Sequence, residues 1–305
     1  MSKSAQAVRA VGMVGLGVMG HPMAANILRS GSTVHITGRT REKYHDLIHA
    51  GALWHNTPRS LADVVSVMVL MLPDLPQVEE VLAGSDGILA GNFSDLLLII
   101  ASTSSPIELQ ELGRRLATET EGRVRVIDAP VSGGTEGAQT GTLSIMVGGD
   151  QHDVNDAWPV LAACGSPVHL GPLGSGQVAK ACNQMIVAAT VLALGEAAVL
   201  ADRSGLDLDQ LFQLLAGGYA GSRILETRGD RIVSEDYTPS GAARYLVKDL
   251  SFAATLAQAT GTRTVLLPVL KAAFEELTQQ GYGDHDIAVT RRYMAKLRRA
   301  RLKST

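Results

Sequence analysis

The sequence predicts an α/β fold, a doubly wound and mostly parallel sheet followed by an all-α helical C-terminal domain. Three observations predict it. From residue 8 to residue 170, short β-rich runs alternate with helix-like segments, the pattern of repeated βαβ units. After Gly171-Pro172 the strand-like runs stop and long helical patterns take over. A glycine-rich turn, Gly15-Leu16-Gly17-Val18-Met19-Gly20, joins the first strand candidate to the first helical pattern. The 305 residues suit two domains, at roughly 150 residues each, and the change of texture divides them at 1–172 and 173–305.

Strand candidates cover 10–14, 33–37, 64–72, 96–100, 124–128, 143–147 and 168–170. The helices between them carry end signals: Gly31 and Gly51 stand where a left-handed residue closes a helix, Asp74 and Ser104 or Ser105 where a side chain caps one, and Pro106 in a first turn. In the second domain, helices are expected over 176–203, 207–215, 244–259, 265–280 and 284–299. The apolar run 185–200 is broken by Gly195 and Glu196 and is short for a bilayer, so it reads as a buried helix.

Composition narrows the function classes. Apolar residues at 46% with charged residues at 19% describe a packed globular chain, not a disordered one. The net charge is −3, and the one basic cluster (Arg291, Arg292, Lys296, Arg298, Arg299, Arg301, Lys303) lacks aromatic stacking partners, so it reads as a solvated helix face, not a nucleic-acid surface. Cys164 and Cys182 have no metal-ligand or disulfide spacing, which points to a reducing, cytoplasmic setting without structural zinc. Residues 1–10 lack a signal-like apolar stretch.

In the glycine turn, the first glycine permits the tight bend, the second lets backbone approach a pyrophosphate, and the third lets helix and strand pack closely. The amides at the start of the helix then face the phosphates. An acidic residue about 20 positions on would bind the ribose hydroxyl of NAD. Thr37-Gly38-Arg39-Thr40-Arg41 stands there instead, so a 2′-phosphate is favoured, with Arg39 as a charged fork and Thr40 as a hydroxyl donor. NADP(H) is therefore the expected cofactor, with NAD(H) possible; solvated arginines on a plain turn are the alternative.

Further segments suit chemistry. In Asp128-Ala129-Pro130-Val131-Ser132-Gly133-Gly134, the Ser132 hydroxyl and the following amides can form a donor cluster for a carboxylate. Ser132 is a poor nucleophile candidate, because Pro130 replaces the glycine of a nucleophile elbow; a structural turn is the alternative. In the segment 174–184, Gln177, Lys180, Asn183 and Gln184 share one face of an otherwise apolar helix. A lysine there needs solvent or a partner, and burial lowers a lysine's pKa toward the range useful for proton transfer. A snorkelling lysine is the alternative. Ser102-Thr103-Ser104 follows a strand candidate, where open sheets bind ligands, and Lys248-Asp249 lies in a helix of the second domain.

Taken in order, Gly15-Leu16-Gly17-Val18-Met19-Gly20-His21-Pro22-Met23-Ala24, Asp128-Ala129-Pro130-Val131-Ser132-Gly133-Gly134, the segment 176–184 and Lys248-Asp249-Leu250 resemble the β-hydroxyacid dehydrogenase family. The resemblance runs from Val8 to about Tyr293. It implies a Rossmann-like first domain, an all-helical second domain, and association through the latter as a homodimer or homotetramer. It implies hydride transfer between NADP(H) and a small carboxylate-bearing aldehyde or alcohol, with no nucleic-acid or membrane partner. Lys180 matches the family's catalytic lysine, Asn183 its supporting asparagine, and Ser132, Gly133 and Gly134 its carboxylate-binding loop. Gly15, Leu16, Gly17, Val18, Met19, Gly20, Arg39, Thr40, Leu72, Pro73, Thr103 and Lys248 are the expected cofactor contacts, Thr103 near the nicotinamide and Lys248 reaching over from the second domain. The run 217–222 is most similar to the tartronate semialdehyde reductase subgroup, with 3-hydroxyisobutyrate dehydrogenase and glyoxylate or succinic semialdehyde reductase activities as alternatives. The chain departs from the family at Gly38, acidic in NAD-using members, at Ile100, and from that subgroup at Tyr219 and Arg223.

Two readings of other classes compete. His45-Asp46-Leu47-Ile48-His49 puts two histidines one helical turn apart, as in metal hydrolases, but with aspartate in place of glutamate and no evident third ligand. A non-catalytic, regulatory NADP-binding protein would have no need of Lys180 and Asn183.

Overall fold

Strand β1 (Ala10–Val14) is buried at four of its five positions, as a strand covered on both faces must be. The computed structural model describes residues 10–297, which divide into two units, the first ending at Lys180 and the second beginning at Ala181. In the first unit β1 is followed by α1 (Gly20–Arg29), β2 (Thr33–Thr37), α2 (His45–His49), β3 (Leu53–His55), α3 (Pro58–Ala62), β4 (Val67–Leu70), α4 (Leu75–Leu82), β5 (Leu96–Ile100) and α5 (Pro106–Glu119). Next come β6 (Val124–Asp128), β7 (Val131–Ser132), α6 (Gly134–Thr140), β8 (Leu143–Gly148), α7 (Gln151–Ala162), β9 (Gly165–Gly171) and the start of α8 (Ser175–Arg203).

The described strands form one sheet of nine in the order β3-β2-β1-β4-β5-β6-β8-β7, with β9 paired to β8. Pairing is parallel from β3 through β6, and antiparallel where β8 meets β6 and β7. The two-residue period sorts the central strands between two cores. Val67, Val69, Leu97 and Ile99 pack with Met23 and Ile27 of α1 and Val154 of α7. Met68, Leu70, Leu96, Leu98 and Ile100 pack with Val78 of α4 and Leu109, Leu112 and Leu116 of α5. The doubly wound, Rossmann-like expectation describes this unit. The expected caps also form: the Asp74 side chain accepts from Leu75 N at 2.8 Å, and Ser105 Oγ from Glu108 N at 3.3 Å.

Register matters most for the site. Val14 aligns with both Thr37 and Leu70, Leu70 with Ile100, and Ile100 with Asp128. The C-terminal ends of five parallel strands thus stand in one row, at the edge where ligands bind in sheets of this kind.

Several element boundaries differ from expectation. The strand expected over 64–72 is confined to β4, because Val65 packs into the α3-side core before the ladder starts and the chain leaves the sheet at Met71-Leu72-Pro73. β3 and β7 were not expected, since three and two residues are too few to show a period. The run 168–170 is the end of the longer β9.

The second unit holds the remainder of α8, with α9 (Leu208–Ala216), α10 (Arg223–Ser234), α11 (Arg244–Ala259), α12 (Leu267–Leu277) and α13 (Thr290–Lys296). Ala188, Val191, Phe212, Leu246, Leu250, Leu270, Phe274 and Tyr293 form its core. α10 is an unexpected helix: charges dominate its sequence, and Leu225 and Ile232 anchor it while Arg228 and Arg231 face the buried Asp286. The helix expected over 265–280 stops at Leu277, where a π-turn (Thr278–Tyr282) follows with Gly281 at φ +85°. The one expected over 284–299 begins as a 3₁₀ turn (Ile287–Val289) and continues as α13. α8 is 29 residues long, so it exceeds the apolar run within it, and by length and composition it could cross a membrane; 44% of its most apolar window is buried within the protein. The basic residues Arg298, Arg299, Arg301 and Lys303 and the leader-free reading of 1–9 lie outside the described residues.

Candidate active site

Each loop that leaves the row of strand ends carries residues singled out from the sequence. Val14 leads into Gly15–Gly20, Thr37 into Gly38-Arg39-Thr40, Leu70 into Met71-Leu72-Pro73, Ile100 into Ser102-Thr103, and Asp128 into Val131–Gly134. Hydrogen bonds tie neighbouring loops together. Met71 N donates to Val14 O at 2.9 Å, and Leu72 N to Ser102 Oγ at 3.0 Å.

The glycine turn has a geometry that only glycine fits. Gly15 sits at φ +91°, and a Cβ there would collide with the Met71 carbonyl; a Cβ on Gly20 would strike the Gly15 carbonyl. Gly17 is the opposite case, since a Cβ on it would meet nothing within 4 Å, and the adjacent Val18 is 74% exposed. Leu16 is buried and Met19 half-buried, so they hold the turn down while its outer backbone stays open at the start of α1. An open backbone at a helix N-terminus fits a dinucleotide pyrophosphate.

At the end of β2, Arg39 and Thr40 are both exposed, and Thr40 begins the following 3₁₀ turn without using its side chain as a cap. The Tyr44 ring covers Gly38: a Cβ there would lie 2.7 Å from Tyr44 Cε2. Tyr44 in turn stacks on Trp54, with ring centroids 6.2 Å apart. A side chain at position 38 would therefore require the Tyr44 ring to shift. His21 Nε2 lies 2.9 Å from the Asp46 carboxylate, so the acid of the His45–His49 motif is engaged. Among the described residues no group of three or more metal-type ligands assembles.

The chemistry-bearing end is built around the start of α8. Asp128 is fully buried at the last position of β6, where Oδ1 accepts from Gly174 N and Oδ2 from Gln177 N, each at 2.7 Å. Burial pushes its carboxyl up to about 6, against the opposing pull of the Gly174, Gln177 and Gly176 amides. Gly176 has to be small here, since a Cβ on it would come within 2.8 Å of Asp128 Oδ2. One turn into the helix, Lys180 is only 7% exposed, and its Nζ donates to Val131 O at 2.9 Å, beside Ser132. Lys180 is thus buried against the loop and does not snorkel. Gly133 and Gly134 have φ of +131° and +65°, and the Glu136 carboxylate folds back to within 2.9 Å of where a Gly134 Cβ would sit.

Asn183, Lys248 and the 217–222 run belong to the second unit. There Asn183 Nδ2 donates to Gln184 Oε1 at 2.9 Å, and Gln184 Nε2 donates to Asp249, the neighbour of Lys248. Lys248 Nζ stands 5.3 Å from the Phe252 ring centroid. Tyr219 is exposed, and Arg223 pairs with Glu226 at 2.8 Å.

Residues 10–174 match the family model described as the NAD binding domain of 6-phosphogluconate dehydrogenase, and residues 174–294 match that described as NAD-binding of NADP-dependent 3-hydroxyisobutyrate dehydrogenase. The chain belongs to the β-hydroxyacid dehydrogenase family. It is 38% identical over 252 residues to 2-hydroxy-3-oxopropionate reductase of Escherichia coli, covering 82% of this chain and 84% of that one. It is 32% identical over 293 residues to an NAD-dependent L-serine dehydrogenase of Pseudomonas aeruginosa, covering 93% and 97%. The crystal structure of a 3-hydroxyisobutyrate dehydrogenase from Salmonella typhimurium superposes with a TM-score of 0.84 at 29% identity, covering 93% and 99%. This β-hydroxyacid dehydrogenase is accordingly an NAD(P)-dependent oxidoreductase acting on CH–OH groups.

The sequence places Gln177 on the polar face of the Lys180 helix without assigning it a role, and it does not single out Asp128 or Ser102 as individual site residues. Asp128 carried a signal, a carboxylate closing an apolar strand, but its partners lie 46 and 49 residues away. Nothing local to the sequence announces such a pairing.

Proposed function

We propose that this dehydrogenase is an NADP(H)-dependent semialdehyde reductase, acting on a small carboxylate-bearing aldehyde or the corresponding alcohol, with 2-hydroxy-3-oxopropionate as the substrate. The observation that carries the reading is Lys180, buried on the first turns of α8 with its Nζ 2.9 Å from Val131 O, beside the Ser132-Gly133-Gly134 loop. A bound nicotinamide supplies or receives the hydride. In reduction, Lys180 donates its proton to the substrate carbonyl oxygen, and in oxidation it takes the hydroxyl proton back. Negative charge builds on that oxygen as reduction proceeds, so an ammonium beside it stabilises the transition state more than the ground state. The Ser132 hydroxyl and the amides of Gly133 and Gly134 hold the substrate carboxylate and fix the carbonyl for attack. Asn183, one helical turn after Lys180, helps to position the lysine.

For the cofactor, Gly15, Leu16, Gly17, Val18, Met19 and Gly20 bind the pyrophosphate, Leu72, Pro73 and Thr103 line the way to the nicotinamide, and Lys248 contributes from the second unit. Arg39 and Thr40 take the 2′-phosphate, a preference for NADP(H) that the absence of an acidic side chain at Gly38 supports. The similarity to the E. coli reductase supports the substrate; 3-hydroxyisobutyrate and glyoxylate or succinic semialdehyde are the alternatives within the class. Cytoplasmic residence and a homodimer or homotetramer formed through domain 173–305 belong to the same proposal. A panel of these aldehydes and hydroxy acids, followed by nicotinamide absorbance with NADPH and NADH in parallel, tests it. The proposal expects 2-hydroxy-3-oxopropionate with NADPH to give the highest kcat/KM, and a higher value for another pair would overturn that assignment.

A further inference from the structure

The Gln177 side chain makes two hydrogen bonds that bracket one residue of another loop. Its Oε1 accepts from Ser104 N at 3.0 Å, and its Nε2 donates to Ser102 O at 2.8 Å. The carboxamide thereby pairs with the backbone on both sides of Thr103, as a neighbouring strand would. Gln177 is 1% exposed and Ser102 and Ser104 are equally buried, so bulk solvent does not compete for these bonds. The backbone of Gln177 is itself pinned, because its N–H is one of the two amides that the Asp128 carboxylate holds at 2.7 Å. Lys180 follows one helical turn later.

We infer that Gln177 is a positioning residue that sets the distance between Thr103 and Lys180. The inference rests on the reading of Lys180 as the proton donor and of Thr103 as a contact near the nicotinamide. Both groups descend from the same carboxamide: one bracketed by it across the loop after β5, the other carried on its own helix. Hydride and proton have to reach adjacent atoms of one substrate, so an error in that separation acts on the chemical step. The proposed grip on the pyrophosphate and the 2′-phosphate, at Gly15–Gly20 and Arg39, lies on other loops and is left alone.

Gln177→Met keeps length and volume but makes neither hydrogen bond. A misplacement on the order of 1 Å at a reacting centre costs up to about 100-fold, so kcat is expected to fall about 10- to 100-fold, with NADPH Kd within about threefold of wild type and a larger primary isotope effect from deuterated NADPH. Gln177→Glu separates positioning from folding. An ionised glutamate can accept from Ser104 N but has no proton for Ser102 O, whereas a protonated one has. The ratio of Gln177→Glu to wild-type kcat is therefore expected to rise as the pH is lowered while the folded fraction stays constant, whereas a merely structural defect would recover activity only in step with folding. A Gln177→Met kcat within about twofold of wild type, or a flat ratio for Gln177→Glu across pH, overturns the inference. The two failures are distinguishable: full turnover by Lys180→Ala with NADPH bound refutes the catalytic reading, while an inactive Lys180→Ala beside a normal Gln177→Met refutes the positioning role alone.

Discussion

Replacing Asp128 by asparagine tests how the start of α8 is held, and both sign and size follow from the geometry. The carboxylate is fully buried and accepts from Gly174 N and Gln177 N, each at 2.7 Å. Asparagine keeps one accepting oxygen and turns an amide N–H toward the other donor. One buried amide is left without an acceptor, at a cost of about 1 to 3 kcal/mol. The pH dependence then identifies the group. Burial raises the Asp128 carboxyl from its ordinary 3.8 to about 6, so the folded protein holds this proton more tightly than the unfolded chain. The stability it contributes is complete below the unfolded value and is lost as pH rises through the folded one. One pKa unit corresponds to about 1.4 kcal/mol, so the whole effect is about 3 kcal/mol, of which about 2 kcal/mol falls between about pH 4.5 and about pH 7.5. The asparagine of the variant does not titrate. In urea unfolding at those two pH values, the stability advantage of wild type over Asp128→Asn is expected to shrink by about 2 kcal/mol at the higher pH. An advantage that stays constant, or grows with pH, refutes the assignment of a raised, buried carboxyl at the head of α8.

The remaining predictions concern the ligands. Arg39→Ser should weaken NADPH binding by about 10- to 100-fold, the worth of a charge-assisted hydrogen bond, and leave NADH nearly unchanged; an equal change for both cofactors would place Arg39 outside the 2′-phosphate site. Gly38→Asp should lower the thermal midpoint before it can improve NADH binding, because its Cβ meets the Tyr44 ring at 2.7 Å, and a fully stable Gly38→Asp contradicts that packing. Ser132→Ala should raise the substrate KM while NADPH Kd stays constant, and Glu136→Gln should lower the same KM a few-fold, on the order of 1 kcal/mol for removing a like charge beside the proposed carboxylate site. Parallel losses of substrate and cofactor in Ser132→Ala would make that loop merely structural.

How far the molecule is legible in its sequence depends on how locally each feature is encoded. The glycine turn is legible because three glycines at a fixed spacing report a backbone requirement, seen as the collisions that side chains on Gly15 and Gly20 would cause. The central strands are legible as apolar runs, since both faces are covered. β3 and β7 are too short to carry a period, and α10 is concealed because its charges find partners only after folding, Arg228 and Arg231 on Asp286 from beyond α11 and α12. Lys180 stands out as a cation on an apolar helix. The groups that fix it do not, because the link from Asp128 to Gln177 and from Gln177 to the Thr103 loop exists only once β5 and β6 lie side by side and α8 starts against their ends. The fit of Tyr44 over Gly38 is hidden in the same way, in a turn whose shape no propensity specifies.

The central claim, that Lys180 is the acid and base of the reaction, is tested most directly by single-turnover kinetics of Lys180→Ala with NADPH already bound. General acid catalysis is typically worth about 10² to 10⁴ in rate, so the hydride-transfer rate is expected to fall by at least about 100-fold while NADPH Kd stays close to wild type. A Lys180→Ala protein that binds NADPH and reduces its substrate at close to the wild-type rate would contradict the account.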